Sequence, residues 1–135
     1  MNLDQLNNIA VKMVTPGQGL LAADESTGTI KKRFDSINTT STEDSRRDWR
    51  EMLFRTEKAM KNHISGVILF EETLGQKAKD GTPLVDLITS HDAIPGIKVD
   101  RGAKPLAGRS GETITEGLDG LRDRLDTYYK QGARF

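Results

Sequence analysis

Three short apolar segments recur along the chain, and each is followed by a stretch with helical patterning. The apolar segments are residues 19–23, 66–70 and 95–99. The stretches between them carry apolar residues three and four positions apart, which is the spacing of an amphipathic helix. Strands that alternate with helices form parallel sheets, and continuously apolar strands are typical of sheets covered on both faces. The sequence therefore predicts an α/β fold built on a parallel sheet.

The helices before the second strand are predicted from their start and stop signals. A leading helix ends before Pro16, because Pro-Gly punctuates an apolar periodic segment. Ser41 or Thr42 can cap the next long helix, whose first turn is acidic as the helix dipole favours. We expect its arginines and glutamates to face water. We expect its apolar stripe to consist of Trp49, Met52, Leu53 and Met60.

The helices of the second half are predicted in the same way. Thr82 is expected to cap a short helix that has Pro83 in its first position. Thr113 and Glu116 have the spacing of a capping box, which predicts a last helix ending at Gly132. Residues 101–111 are then left as a glycine-rich segment, which we interpret as a plain surface loop in preference to a mobile rim over a ligand.

The segment 133–135 resembles the opening of a fourth strand. A (β/α)₈ barrel, or TIM barrel, needs about 250 residues, and this chain has 135. The length therefore fits the first three βα units of such a barrel, a leading helix and the start of strand four. The alternative is a small complete doubly wound sheet, for which three strands would be few.

Charged residues stand at the ends of two predicted strands. Asp24 follows the first strand, and Lys98 and Asp100 share one face of the third. An ionised lysine in a buried strand is costly unless it is paired, so Asp24 and Asp100 are expected to be its partners. Ligands of parallel α/β proteins bind at this end of the strands. The alternative is an ion-pair network that only fixes strand register.

The turn after the first strand has the composition of a phosphate site. Ser26 and Thr29 stand where a short helix begins, and Lys32 and Arg33 follow within that helix. Free amides and the dipole at a helix start favour an anion. The alternative is an ordinary capped helix with solvated cations, and the spacing is not that of a Walker sequence.

Charge and composition exclude several classes of protein. Twenty basic residues balance twenty acidic ones, which argues against a nucleic-acid or membrane-surface partner. The chain has no cysteine and only two histidines, which argues against disulfides and a histidine-rich metal site. It has no apolar run of membrane-spanning length and no secretory signal. We expect a cytoplasmic protein that binds no metal and no cofactor.

Several sequence blocks, in this order, resemble class I fructose-1,6-bisphosphate aldolase. The blocks are LLAADESTG at 20–28, GVILF at 66–70, ETL at 72–74, GIKVD at 96–100, PLAG at 105–108 and GLDGL at 117–121. The resemblance implies a (β/α)₈ barrel and a lysine Schiff-base mechanism. It implies a lyase of glycolysis and gluconeogenesis that cleaves fructose 1,6-bisphosphate to dihydroxyacetone phosphate and glyceraldehyde 3-phosphate.

The resemblance also assigns roles to individual residues. Asp24 matches the active-site carboxylate of the first strand, and Lys98, with Asp100 in support, matches the active-site lysine of the third. Ser26 and Thr29 match the positions that bind one substrate phosphate, although the family usually has serine at the second. The resemblance places Arg33 at the other phosphate and Lys32 beside the site.

The resemblance predicts that residues 1–135 are the N-terminal part of a single barrel domain. In the family the strand opened at 132–135 continues as AKWR, and the Schiff-base lysine lies further on. The intact enzyme is expected to be a homo-oligomer acting on a phosphorylated sugar. Alone, this stretch is expected to be inactive and to aggregate or pack loosely. The alternatives are a non-catalytic remnant and a small α/β phosphate-binding protein.

Overall fold

A computed structural model describes residues 3–135, so the first two residues of the predicted domain lie outside the described part. The elements follow in the order α1 (Leu3–Met13), β1 (Gly19–Ala23), α2 (Thr27–Asp35), α3 (Glu43–Phe54), α4 (Glu57–His63), β2 (Ile64–Leu69), α5 (Glu71–Leu74), α6 (Leu84–Ser90), β3 (Ile94–Ile97), β4 (Ala103–Pro105), β5 (Thr113–Thr115) and α7 (Leu121–Lys130). The α/β alternation predicted from the sequence is therefore confirmed through three βα units. No helix within residues 3–135 is long and apolar enough to cross a membrane.

The first three strands form one parallel sheet in the order β1-β2-β3. Residues 133–135 run beside β3 and extend its hydrogen bonding. The Arg134 amide donates to the Pro95 carbonyl at 2.8 Å, and the Ile97 amide donates to the Phe135 carbonyl at 2.9 Å. The end of the chain thus occupies the position of the fourth strand that the sequence predicted.

The core lies between one face of this sheet and the helices. Its fully enclosed apolar side chains are Phe54, Met60, Val67, Leu69, Leu84 and Ile88. Burying an aliphatic or aromatic side chain of this kind stabilises a fold by about 1.5–3 kcal/mol. The opposite face of β1 is open, since Leu20 and Ala22 are exposed while Ala23 is buried. The described residues therefore leave this face open at β1, whereas the Phe135 ring packs over it at Gly66 and Gly96.

The long helix predicted after residue 42 is divided in two. Thr42 caps it as predicted, because its hydroxyl accepts from the Ser45 amide at 3.1 Å while the Ser45 hydroxyl accepts from the Thr42 amide at 2.9 Å. The predicted stripe is wrong at Met52, which is 53% exposed, and the expectation that arginines face water is wrong at Arg50, which is buried. Arg50 and Phe54 lie four positions apart on the buried side of α3, and Met52 lies on the other side.

The last third of the chain departs furthest from prediction. Residues 101–111 are not a plain loop, because β4 pairs antiparallel with β5 to form a hairpin. The helix predicted from the capping-box spacing does not form at Thr113. Helix α7 instead begins at Leu121, directly after Gly120 in the left-handed conformation with φ +63°. The predicted end before Gly132 is confirmed.

The start of α6 differs from prediction by one position. Pro83 precedes the helix and does not occupy its first turn, and no side chain caps this end. The reason lies in the preceding turn, where the Ala78 amide donates to the Thr82 carbonyl at 2.8 Å and Lys77 bridges Pro83. Thr82 and Pro83 are therefore held in extended pairing, which excludes them from the helix.

Candidate functional site

A cavity of about 680 Å³ opens where the three parallel strands end. Its first side is lined by one pair of residues that follows each parallel strand: Ser26 and Thr29 after β1, Phe70 and Glu71 after β2, Lys98 and Asp100 after β3. Its second side consists of Arg101, Gly102, Ala103, Thr115, Arg124 and Tyr128. A cleft of this size at the carboxyl ends of parallel strands is the usual position of a ligand site in this class of fold.

The first lining pair forms the start of α2. The Ser26 hydroxyl accepts from the Thr29 amide at 3.4 Å and lies 3.1 Å from the Thr29 hydroxyl. Neither residue is buried. The first amides of a helix have no intrahelical partner and carry the positive end of the dipole. Two hydroxyls and these amides are therefore placed to bind an anionic group in the cavity.

Lys98 and Asp100 form an ion pair at the end of β3. The Lys98 amide donates to the Leu69 carbonyl at 3.0 Å, which continues the parallel pairing beyond the strand. Asp100 is oriented in turn, because its Oδ1 accepts from the Gly102 amide at 2.9 Å. The Lys98 side chain keeps 26% of its surface exposed. A cation held beside a carboxylate at the rim of a cavity can bind and orient a polar or phosphorylated ligand.

Only one of the two predicted partners of Lys98 is observed. Among residues 3–135, Lys98 forms an ion pair with Asp100 and none with Asp24. Strand order explains the difference, because β2 lies between β1 and β3. Neighbouring strands are about 4.8 Å apart, which separates the backbones of β1 and β3 by about 10 Å.

Three other predicted site residues do not line the cavity. Asp24 is half-buried at the end of β1, and Lys32 is exposed on α2. Arg33 is 60% exposed and forms an ion pair with Glu25, whose side chain is almost buried. The structure thus brings Ser26, Thr29, Lys98 and Asp100 together, whereas Asp24, Lys32 and Arg33 lie outside the cavity lining.

Sequence reasoning missed a charge cluster behind the cavity. The Arg50 side chain is fully buried, and its Nη2 donates to the Glu25 carbonyl at 2.7 Å. Its Nη2 and Nη1 lie 3.8 Å from carboxylate oxygens of Glu25 and Glu72, respectively. Arg46 holds Glu72 with two bonds of 2.9 and 2.6 Å. The sequence did contain a signal for this cluster, because a glutamate follows shortly after each of the first two strands. Acidic residues in such positions need a cation as partner.

The cluster alters the acidity of its members. Burial lowers the pKa of Arg50, and the carboxylates of Glu25 and Glu72 oppose that shift. The hydrogen bonds from Arg46 lower the pKa of Glu72. A guanidinium stays protonated in proteins at neutral pH, and a glutamate with a lowered pKa stays ionised there. Arg50 and Glu72 therefore keep opposite charges at neutral pH.

Helix α7 closes the second side of the cavity. Arg124 donates from Nη1 to the Val99 carbonyl at 2.9 Å and from Nη2 to the Gly117 carbonyl at 2.5 Å. One arginine thus connects the end of β3, the far side of the hairpin and α7. Tyr128, one turn further on, is buried and lines the cavity. No local sequence pattern indicated either role, because both depend on contacts with distant parts of the chain.

Comparison with known proteins agrees with this architecture. A family model described as class I fructose-bisphosphate aldolase matches residues 5–135. The probable fructose-bisphosphate aldolase class 1 of Xanthomonas axonopodis pv. citri is 56% identical over 135 residues, which are 100% of this chain and 40% of that protein. Fructose-bisphosphate aldolase 6, cytosolic, of Arabidopsis thaliana is 58% identical over 132 residues, which are 98% of this chain and 37% of that protein.

A solved structure extends the likeness to three dimensions. Fructose-bisphosphate aldolase of Plasmodium falciparum, determined in complex with TRAP and a small-molecule inhibitor, superposes with a TM-score of 0.93 at 50% identity. The match covers 98% of this chain and 38% of that one. The chain thus spans about 40% of the length of the curated relatives it matches. This structural match confirms the predicted TIM-barrel fold class. Because the family model matches residues 5–135, this chain belongs to the class I fructose-bisphosphate aldolase family.

Proposed function

We propose that residues 1–135 are the N-terminal part of a cytoplasmic class I aldolase domain. The whole enzyme would be a lyase that cleaves fructose 1,6-bisphosphate to dihydroxyacetone phosphate and glyceraldehyde 3-phosphate. The observation that carries the proposal is the single cavity shared by the start of α2 and the Lys98–Asp100 pair. This cavity offers an anion-binding helix start and, in Lys98, a cation across from it, as a phosphorylated sugar requires.

Each site residue has a role in this proposal. Ser26 and Thr29 hold one substrate phosphate, and Arg33 exchanges its contact with Glu25 for the other. Lys98 lies beside the phosphate or hydroxyl groups of the substrate, and its ammonium group is held in place by the ion pair with Asp100. Two further residues complete the site. Asp24 supplies the carboxylate at the end of the first strand, and Lys32 adds positive charge nearby.

The covalent step is assigned to a residue outside this segment. The resemblance places the Schiff-base lysine in a part of the family chain that residues 1–135 do not match. Covalent catalysis needs that amine next to groups that transfer protons. Residues 1–135 would therefore bind and orient the sugar, within a homo-oligomer that requires no cofactor.

A hybrid protein tests the proposal directly. In this hybrid, residues 1–135 replace the 135 matched residues of the Xanthomonas relative. We expect cleavage of fructose 1,6-bisphosphate within about tenfold of the relative's kcat/KM, since a tenfold change corresponds to only about 1.4 kcal/mol of transition-state stabilisation. The measurement is the initial rate of glyceraldehyde 3-phosphate formation. A folded, soluble hybrid that cleaves no faster than the protein-free solution would contradict the proposal.

The isolated segment should give the opposite result. A purified polypeptide of residues 1–135 is expected to cleave no fructose 1,6-bisphosphate above its own Lys98→Ala variant, because it lacks the nucleophilic amine. We expect it to aggregate, since the open sheet face exposes Leu20 and Ala22. Steady turnover above that variant, from a preparation free of host aldolase, would show that the segment contains a complete site.

A further inference from the structure

We propose that Arg50 is a positioning residue, which fixes the phosphate-binding turn after β1 relative to the end of β2. The part of this inference that concerns substrate rests on the proposed function. Arg50 itself does not line the cavity and is not expected to touch substrate.

The first contact of Arg50 is with the backbone of the turn. Its Nη2 donates to the Glu25 carbonyl at 2.7 Å. That carbonyl belongs to the peptide unit that leads directly into Ser26, the residue that caps α2. A charged donor on this carbonyl therefore restrains the orientation of the peptide just before the capping hydroxyl. Through Ser26 the restraint extends to the first amides of α2.

The second set of contacts ties Arg50 to the neighbouring junction. Its Nη1 lies 3.8 Å from Oε2 of Glu72, which is held from the other side by the two bonds of Arg46. The guanidinium carbon also lies 5.9 Å from the centre of the Phe70 ring, and Phe70 lines the cavity. One buried cation thus connects the ends of β1 and β2 behind the site.

The cost of this arrangement argues for a positional role. Within residues 3–135, the Nε and Nη1 atoms of Arg50 and Oε2 of Glu25 are buried without a hydrogen-bond partner. Burying charge that is only partly hydrogen-bonded costs free energy, and well-packed apolar residues often give equal or greater stability. What an apolar side chain could not supply is the directed bond to the Glu25 carbonyl. The geometry thus favours orientation of the turn over simple stabilisation.

The test compares two lysine substitutions on the same helix, made in the hybrid protein. Arg50→Lys keeps the positive charge but loses the forked N–H donors of the guanidinium group. Arg47→Lys is the matched control, because within residues 3–135 Arg47 forms ion pairs with Asp44 and Asp48 of α3 and none with Glu25 or Glu72. We expect Arg50→Lys to raise KM for fructose 1,6-bisphosphate about tenfold or more and to lower kcat by less than about threefold, because weakened binding of a substrate phosphate acts mainly on KM. The control should change neither constant by more than about twofold.

A second readout does not depend on catalysis. Hydrogen exchange at the backbone amides of residues 26–30 should be faster in Arg50→Lys than in the parent hybrid or the control, while exchange in α6 should be unchanged. A KM within twofold of the parent in an active hybrid, or unchanged exchange at residues 26–30, would overturn the proposal. If the parent hybrid is inactive, the proposed function fails, and the exchange measurement alone decides the role of Arg50.

A third variant covers failure of Arg50→Lys to fold. Glu72→Gln removes the carboxylate charge that faces Arg50 from the end of β2 and leaves the Glu25 carbonyl bond in place. It should produce the same localised rise in exchange and a smaller rise in KM. If hydrogen exchange instead increases throughout the sheet, with no increase specific to residues 26–30, the charge cluster only stabilises the fold.

Discussion

Replacing Lys98 with alanine in the hybrid protein should lower kcat/KM for fructose 1,6-bisphosphate by roughly 10²–10³-fold, which is the cost of removing one preorganised charge-stabilising group from an active site. Lys98 carries the cation of one of the two ion pairs that line the cavity within residues 3–135, the other being Arg101–Glu71. Its backbone is fixed by pairing with Leu69 and its ammonium by Asp100. Substitution would remove the charge and leave the Asp100 carboxylate to repel a phosphorylated sugar. Initial rates over a range of substrate concentrations would measure the loss.

A lysine with a similar local partner provides the control for that loss. Lys130 pairs with Asp126 four positions earlier on α7, and its side chain is 72% exposed. Exposed pairs of this kind contribute little to stability, and Lys130 does not line the cavity. Lys130→Ala should therefore leave kcat/KM within about twofold of the parent hybrid. A folded Lys98→Ala hybrid that keeps more than about a tenth of the parent's activity would remove Lys98 from the site.

The strands could be predicted because their signal is local. Each is a short, mostly apolar run bounded by glycine, proline or a charged residue, and the structure shifts the predicted ends of β2 and β3 by only one or two residues. The site residues Ser26, Thr29, Lys98 and Asp100 follow from those ends, since parallel strands present their carboxyl ends on one edge. Correct strand ends thus sufficed to place four residues around one cavity.

The failures share a dependence on distant partners. Residues 113–115 have helix-start spacing, but they pair with 103–105 in a hairpin, and the positive φ of Gly117 and Gly120 interrupts any helix before α7. The burial of Arg50 likewise depends on Glu25, which is 25 positions away. A charged residue in an amphipathic pattern is normally solvated, so the pattern alone favours the wrong face. Prediction failed where pairing across the chain outweighed local preference.

Asp24 is expected to act in a different step of the proposed reaction. It directly follows β1, is half-buried, and precedes the peptide whose carbonyl Arg50 holds. It lies outside the cavity lining, two positions before Ser26, whose hydroxyl we propose to bind substrate. The resemblance assigns the active-site carboxylate to this residue, so we expect it to accept or share a proton when substrate is bound and to contribute little to ground-state binding.

Substitution of Asp24 by asparagine should therefore lower kcat about 10²-fold, the lower end of the range for a positioned proton-transfer group, while KM changes far less. Asparagine keeps the shape of the side chain and removes its charge and basicity, so the loss would report chemistry and not packing. Asp35→Asn is the control, because Asp35 pairs with Lys31 on the exposed side of α2. Steady-state kinetics with both variants of the hybrid would separate the two constants. A rise in KM with kcat unchanged would reassign Asp24 to substrate binding, whereas no change in either constant would remove it from the site. Since Arg50→Lys is expected to act on KM and Asp24→Asn on kcat, the two substitutions would separate the proposed binding function of the turn after β1 from its chemical function.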